Sequence, residues 1–520
     1  MNSVRTFRAT AAALGFALVL TGCGQKPGVH VDGGTGGGAA PLAGGETGDG
    51  VTDDGFTDDG FADADGDGLD DTSGESFDSS GGAVVDDGSA GGDPASDPGA
   101  GGGGTTDGGG STDGGGSGGA GGTTGGGSTD GTSGGGGGGG GGTREVTGTD
   151  RTGVTDDKIT LAIHAPVTGA APLPSTSFEK ARDMYWRWIT EAKGETVLGR
   201  KKVEVLFKDD KYDPNSARQA CRELEAKAFL TVGGGGTDQI QACGQFAQVA
   251  KTPYFSAGVT EKGLGGNPWY FASSMTYRQQ GVLLGSYVAK NFSGKKVAAI
   301  VTDTPNFDDA VQGWDQGRKQ AGLQNYYKTL RHPKSDTSWY SAFAQDLKNA
   351  GVEVLYINTS PVDYIRFAQQ ASQQGFRPQF VGVGVTMGLN PVLQSGCDAV
   401  DGGVFFSPFP GLDKVDSLDP EFNKAAAKFG LPNDDLSLAL WGIARQQHEL
   451  FKRYEKTFGK DLTREDFRAL TEAQGSLKTT IFPEVGYSQQ NHFGGKQVHV
   501  LKADCATERH KTLATFVSGF

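Results

Sequence analysis

From Lys158 onward, short apolar runs alternate with amphipathic stretches, and this alternation restricts the fold more than any other feature of the chain. Ile159 to Ile163 forms the body of a predicted strand from Lys158 to Val167. Val203 to Phe207, Phe229 to Val232 and Thr252 to Ser256 read as three more. Between them lie helical patterns. Phe178, Ala181, Tyr185, Trp188, Ile189 and Ala192 recur at spacings of three and four, and Asp213-Pro214 opens a helix through Ala217, Cys221, Leu224 and Ala228. The glycines Gly233 to Gly236 lead from the third strand into a helix that begins at Thr237. The pattern then restarts, with strands at Lys296 to Val301, Val354 to Ile357 and Phe380 to Val385, and helices at Val311 to Ala321 and Val362 to Gln374. Strand and helix in strict alternation predict parallel sheets covered on both faces. Two successive runs predict two such lobes, and ligands of these folds sit beyond the carboxyl ends of the strands.

The 520 residues are two different materials. Between Gly24 and Asp150 there are 23 acidic residues against two basic ones, Lys26 and Arg144, and an unbroken glycine run from Gly134 to Gly142. Such a segment cannot bury enough apolar surface to offset its ordering entropy, so residues 23–150 are expected to form a disordered tether. Its r.m.s. reach as a glycine-rich coil is about 60 Å. The acidic balance therefore belongs to the tether, and the remainder, 151–520, carries a net charge close to zero. That remainder is long enough for a large core in two domains. Asp63, Asp65, Asp67 and Gly68, followed by Asp70 and Asp71, match the first half of a calcium loop. The bidentate Glu due at the twelfth position is Gly74 instead, so a solvated acidic run is the competing reading.

Ahead of the tether, Arg5 and Arg8 precede an apolar run from Ala9 to Leu20 that is too short to span a bilayer, which describes an export signal over residues 1–22. Leu20-Thr21-Gly22-Cys23 resembles a bacterial lipobox, in which Cys23 becomes the acylated first residue of the mature chain. Two or more acyl chains anchor a protein stably, because each buried CH₂ contributes roughly 0.8 kcal/mol. The competing reading is an ordinary cleaved signal with a chance cysteine. An extracytoplasmic chain held to the membrane is the expectation. The four other cysteines, Cys221, Cys243, Cys397 and Cys505, are an even set in an oxidising compartment and suggest two disulfides, with three connectivities open.

No catalytic arrangement emerges. The seven histidines have no metal-ligand spacing, and no Gly-x-Ser-x-Gly elbow appears. His492 and His499 read as surface residues. Asp209-Asp210 reads as a solvated turn closing an edge strand, and the six tryptophans read mostly as core, with Trp269 and Trp339 the two that could face a cleft. Gly233 to Gly236 is not a phosphate loop, since no Gly-Lys-Ser/Thr follows. The loops Gly236-Thr237 and Ser256-Ala257-Gly258-Val259-Thr260 put backbone N–H groups and hydroxyls at strand ends beside helix N-termini, a cradle for a carboxylate or amide oxygen. A tight turn at the glycines and a simple cap at Thr237 remain the alternatives.

The order of several segments resembles the branched-chain amino-acid binding proteins of ABC importers, which have the type I periplasmic binding fold. These segments are Leu198-Gly199-Arg200-Lys201-Lys202-Val203-Glu204-Val205, then Asp209-Asp210-Lys-Tyr-Asp213-Pro214, with Ala165-Pro-Val-Thr-Gly169, Phe255-Ser-Ala-Gly-Val-Thr260 and Asn267-Pro268-Trp-Tyr-Phe271. The resemblance runs over residues 156–505. It implies an α/β architecture of two doubly wound parallel-sheet lobes joined by a three-strand hinge, lobe one spanning 156–274 and 408–482, lobe two 275–407 and 483–520. It further implies a disulfide within each lobe, Cys221–Cys243 and Cys397–Cys505, and a ligand held by Gly236, Thr237, Ser256, Gly258 and Thr260 from lobe one. Phe307 and Thr359 stand where lobe two places its aromatic contacts. The acid that grips an amino acid's ammonium is due near Gly384, within Val381-Gly-Val-Gly-Val385, and no Asp or Glu stands there. A buried ammonium without a countercharge costs several kcal/mol, so an amide, a carboxylate lacking an amine or an aromatic compound fits better. The resemblance thus implies a non-enzymatic solute-binding protein with no cofactor or metal and no nucleic-acid partner. Its expected partners are a small-molecule ligand, an ABC permease and, through the lipid, the membrane. A tethered sensor or interaction protein without a transporter is the alternative.

Overall fold

The computed structural model describes residues 143–520 apart from 259, 335, 385–387 and 474. The export signal, Cys23, the tether up to 142 and the Asp63–Asp71 run lie outside the described residues. The first sheet contains β1 (Lys158–Ala165), β2 (Lys202–Asp209), β3 (Thr231–Gly233), β4 (Tyr254–Ser256) and β5 (Tyr270–Ala272) in the order β2-β1-β3-β4-β5. Every pairing in it is parallel. β1 is buried along almost its whole length, as a central strand covered on both faces must be. The helices between are α1 (Met184–Arg187), α2 (Pro214–Glu225) and α3 (Thr237–Ala250). Only four residues of the stretch 176–192 are regular α-helix, with wider turns on either side. α2 starts as the sequence dictates: Pro214 takes the first position and the Asp213 carboxylate accepts Ser216 N–H at 2.7 Å.

Three more helices alternate with the strands that open the second sheet: α4 (Tyr277–Asn291), β6 (Val297–Thr302), α5 (Asp308–Gln320), β7 (Tyr326–His332), α6 (Trp339–Asn349) and β8 (Val354–Asn358). The run closes with α7 (Pro361–Gln373), β9 (Gln379–Gly382), α8 (Asn390–Val400) and β10 (Val404–Ser407). The helices α9 (Val415–Leu418), α10 (Pro420–Phe429), α11 (Asp435–Phe458) and α12 (Arg464–Ala473) follow, before β11 (Val498–Asp504) and β12 (Arg509–Val517) complete the second sheet in the order β12-β11-β10-β9-β8-β6-β7. The second sheet is parallel from β7 to β10, as expected, and β11 and β12 extend one edge by antiparallel pairing.

Each sheet carries apolar clusters on both faces. α11 and α12 return to the first sheet, where Trp441, Phe451 and Phe467 pack with Phe229 and Phe255. The chain therefore passes between the sheets three times: after β5, after β10 and before β11. Val485 and Tyr487 still belong to the first core, so the third passage lies later than the expected 482–483. Cys221 pairs with Cys243, and Cys397 with Cys505, with Cα atoms 5.7 and 5.3 Å apart.

The folded part also begins earlier than composition suggests. Asp466 accepts Thr147 N–H and Oγ1–H and Gly148 N–H at 2.8–3.0 Å, and Asp150 meets the buried Arg464 at 3.0 Å. Residues 147–150 are thus held on α12, and Arg144 N–H donates to the Thr457 carbonyl of α11 at 2.7 Å. Asp466→Ala should cost about 1 kcal/mol and make the 143–150 segment cleave faster under limited proteolysis. An unchanged cleavage rate would show that those bonds do not hold the segment.

Candidate functional site

The carboxyl ends of both sheets meet at one cavity. Pro166 and Leu173 follow β1, Tyr212 follows β2 and Gly236 and Thr237 follow β3, while Tyr277, Phe307 and Thr359 come from the second sheet's side. A second, more apolar chamber shares Leu173, Gly236 and Tyr277 and is walled by Gly258, Phe178 and side chains of α11 such as Leu440. Of the residues expected to bind, Gly236, Thr237, Phe307 and Thr359 line the first chamber and Gly258 lines the second. Ser256 and Thr260 are elsewhere. Ser256 is buried with its hydroxyl 2.7 Å from Tyr270 Oη. Thr260 donates to Asp309 at 2.8 Å.

Gly236 has to be glycine. Its φ of 75° is left-handed, and a Cβ there would fall 2.1 Å from Gln239 Oε1. The turn delivers Thr237 to the first position of α3, with its backbone donors and positive helix end toward the cavity. Gln239, in the first turn, is fully buried, and neither amide atom has a partner among the described residues. Spacing alone could not separate it from a core glutamine.

Tyr212 and Tyr277 are the cavity residues that sequence reasoning missed. Tyr212 sits in the Asp209-Asp210-Lys-Tyr segment, with Lys211 and Tyr212 both at φ 56°. That strain is held by Asp210, whose Oδ1 accepts Tyr212 N–H at 3.0 Å. Asp210 is not a solvated turn residue. It is fully buried, with Oδ2 2.8 Å from His164 Nδ1, and His164 Nε2 lies 2.6 Å from Tyr254 Oη. His164 also stands beside the Cys221 and Cys243 sulfurs, within 4.8 Å, but the sulfurs are bonded to each other. His492 and His499 are likewise buried, against Glu472 Oε1 at 3.4 Å and the Ile481 carbonyl at 2.9 Å. Neither of the tryptophans that could have faced the cleft does so: Trp269 lies under Arg468, and Trp339 stacks on His332.

Tyr277 packs directly against Gly384. Gly384 has φ 91°, its N–H donates to Gln280 Oε1 at 3.0 Å, and a Cβ there would lie 2.5 Å from Tyr277 Cε1. The Tyr277 ring stacks on Phe307 with centroids 6.1 Å apart, and burial pushes its phenol up to about 12. Gly384→Ala should displace Tyr277 and cost about 1–2 kcal/mol in urea unfolding. An unchanged midpoint would show that the ring moves freely.

Polar contacts clasp the two sides together around the cavity. Asp309 Oδ2 accepts Thr260 Oγ1–H, Glu261 N–H and Lys262 N–H at 2.6–2.8 Å. Asp238 at the start of α3 accepts Asn306 Nδ2–H at 2.6 Å and meets Lys334 at 2.7 Å, and Lys334 also lies 4.2 Å over the Tyr212 ring. No helix among the described residues is long and apolar enough to cross a membrane.

A family model for periplasmic binding proteins matches residues 158–509. Leu/Ile/Val-binding protein homolog 1 of Brucella abortus is 24% identical over 335 residues, which cover 62% of this chain and 84% of that protein. Among solved structures, a branched chain amino acid ABC transporter protein from Thermus thermophilus with bound valine superposes with a TM-score of 0.60 at 17% identity, covering 70% of this chain and 98% of that one. A solute binding protein of an ABC transporter from Rhodopseudomonas palustris BisB5, in complex with 3,4-dihydroxy benzoic acid, gives 0.56 at 21% identity with coverages of 70% and 98%. The two solved structures share this fold.

Proposed function

Because the chain belongs to the periplasmic binding protein family, whose members matched here are solute-binding proteins and not enzymes, we propose that it captures a small carboxylate or amide with an apolar or aromatic body. The ligand would sit in the cavity between the two sheets, without a free α-ammonium, and be delivered to an ABC permease from a Cys23 lipid anchor. The observation that carries the ligand class is the cavity's composition. Gly236 and Thr237, at the start of α3, line the chamber together with Tyr212, Tyr277 and Phe307, and among the described residues no acid lines it. A carboxylate or amide oxygen at the start of α3 gains from the helix end, and a flat apolar body gains from the rings. Closure of two lobes on the ligand would create the form that docks on the permease.

Thermal shift of the full chain against amino acids, amides, small carboxylates and aromatic acids tests this. A ligand at about a hundred times its Kd adds roughly 2.7 kcal/mol, and the expected rise comes with aromatic or aliphatic acids or their amides. A rise with leucine or valine alone would overturn the ligand class. No rise across the panel, in protein shown to be ligand-free, would favour the second reading, a tethered sensor. The length of the acidic, glycine-rich leash supports that reading, because delivery requires the domain to return to the membrane.

A further inference from the structure

Thr359 follows β8 on the cavity wall, and its hydroxyl has three polar neighbours. His332 Nε2 lies 2.7 Å away, Thr302 Oγ1 3.1 Å and Asp363 Oδ2 3.4 Å. His332 ends β7 and is fully buried, stacked on Trp339 with ring centroids 4.1 Å apart. Its Nδ1 is 3.0 Å from the Pro333 carbonyl oxygen. A carbonyl only accepts, so Nδ1 carries a proton. In a neutral imidazole Nε2 is then a bare acceptor, and the 2.7 Å contact has to be donated by the Thr359 hydroxyl. Thr302, at 3.3 Å from the same nitrogen, is placed to donate to Thr359 instead. One lone pair on Thr359 remains for whatever enters the cavity, and no proton.

We infer that His332 sets the hydrogen-bond polarity of this wall: it fixes Thr359 as an acceptor, so the ligand presents a donor, a hydroxyl or an amide N–H, at the end opposite its carboxylate or amide oxygen. The inference rests on the cavity being the ligand site. His332 does not line the chamber and acts through Thr359, which makes it a positioning residue. Asp363 on α7, Asp303 after β6 and Asp336 ahead of α6 each favour its charged form, but burial outweighs them and lowers its proton affinity, in keeping with a neutral ring. A site that leaves a buried acceptor unpaired discriminates strongly against an analogue lacking the donor.

Two measurements on the full chain test this, and the first needs no ligand. Long-range ¹H–¹⁵N spectra of histidine-labelled protein report each ring's tautomer, and His332→Gln identifies the His332 signals. A neutral ring protonated at Nδ1 is expected at pH 7, and an Nε2-protonated or doubly protonated ring overturns the inference. The second is calorimetric titration with 4-hydroxybenzoate and 4-fluorobenzoate, which share a carboxylate and a similar size but differ in the donor. About a tenfold preference for the hydroxy acid is expected, kept in Thr359→Ser and lost in Thr359→Val. It should also be lost in His332→Gln, whose amide can donate to Thr359 and turn that hydroxyl outward. Equal affinity for both probes in the unmodified chain would overturn the inference. Binding of neither probe would count against the aromatic-acid reading of the cavity, while the tautomer spectrum still decides where the proton lies.

Discussion

Asp309→Ala is expected to weaken ligand binding by about a hundredfold while leaving the fold of each half intact. One carboxylate oxygen of Asp309, at the start of α5, receives the Thr260 hydroxyl and the Glu261 and Lys262 amides. Hydrogen bonds to a charged acceptor contribute roughly 1.5–3 kcal/mol each when buried. These three join the loop after β4 to the second sheet's side, so their loss falls on the closed form and not on either core. Part of that sum returns when the open form hydrates the freed groups. A net change of about 3 kcal/mol in the closing equilibrium corresponds to a hundredfold in affinity. Asp309→Asn, which keeps one acceptor oxygen, should lose less. Calorimetric Kd values for the three proteins, with the strongest ligand of the thermal panel, check the ranking. Equal Kd values for all three would mean that the clasp carries no closing energy.

Asp210→Ala should cost about 3 kcal/mol of global stability and also impair binding. Its carboxylate and the His164 ring are both fully buried, and removing one partner leaves the other without its hydrogen bond in the interior. The same substitution frees Tyr212 N–H, whose bond to Asp210 Oδ1 holds two consecutive non-glycine residues at φ 56°. Tyr212 lines the cavity, so the loop that loses its tie is a ligand wall. His164→Leu removes the other member of the pair and keeps the tie to Tyr212. Both variants should unfold at lower urea, with binding impaired more in Asp210→Ala. If the two lose binding equally, Tyr212 is not positioned by Asp210.

Strong periodic segments were legible because burial on both faces of a parallel strand leaves an apolar run in the sequence. β1, β6 and β8 all sit where the alternation puts them, and so does β2, an edge strand that still buries Val203 and Val205 on one face. β7 and β12 escaped for the opposite reason. They are the edges of the second sheet, and Tyr-Tyr-Lys-Thr-Leu-Arg-His and Arg-His-Lys-Thr-Leu carry the charges that protect an edge from further pairing.

At the site, glycine and cap chemistry pointed to Gly236, Thr237 and Gly258, and order along the chain pointed to Phe307 and Thr359. Ser256 and Thr260 have the same residue types, yet Tyr270 takes one hydroxyl and Asp309 the other. Which partner claims a hydroxyl is a tertiary fact. Tyr277 was hidden for a related reason: it fills the room left by Gly384 more than a hundred residues away. Asp210, His492 and His499 show the same limit, because polar residue type says exposed unless a specific partner is known.

If two lobes close on a small ligand, the distance between them must shorten when it binds. Spin labels carried by unnatural residues at Val249 on α3 and Leu513 on β12, which are 80% and 53% exposed, report across the cleft. With the strongest ligand of the panel, double electron–electron resonance should collapse a broad distribution into one narrow short-distance peak, and Asp309→Ala should restore the breadth. A distribution that stays unchanged while calorimetry shows the same ligand bound would contradict closure of the lobes on the ligand.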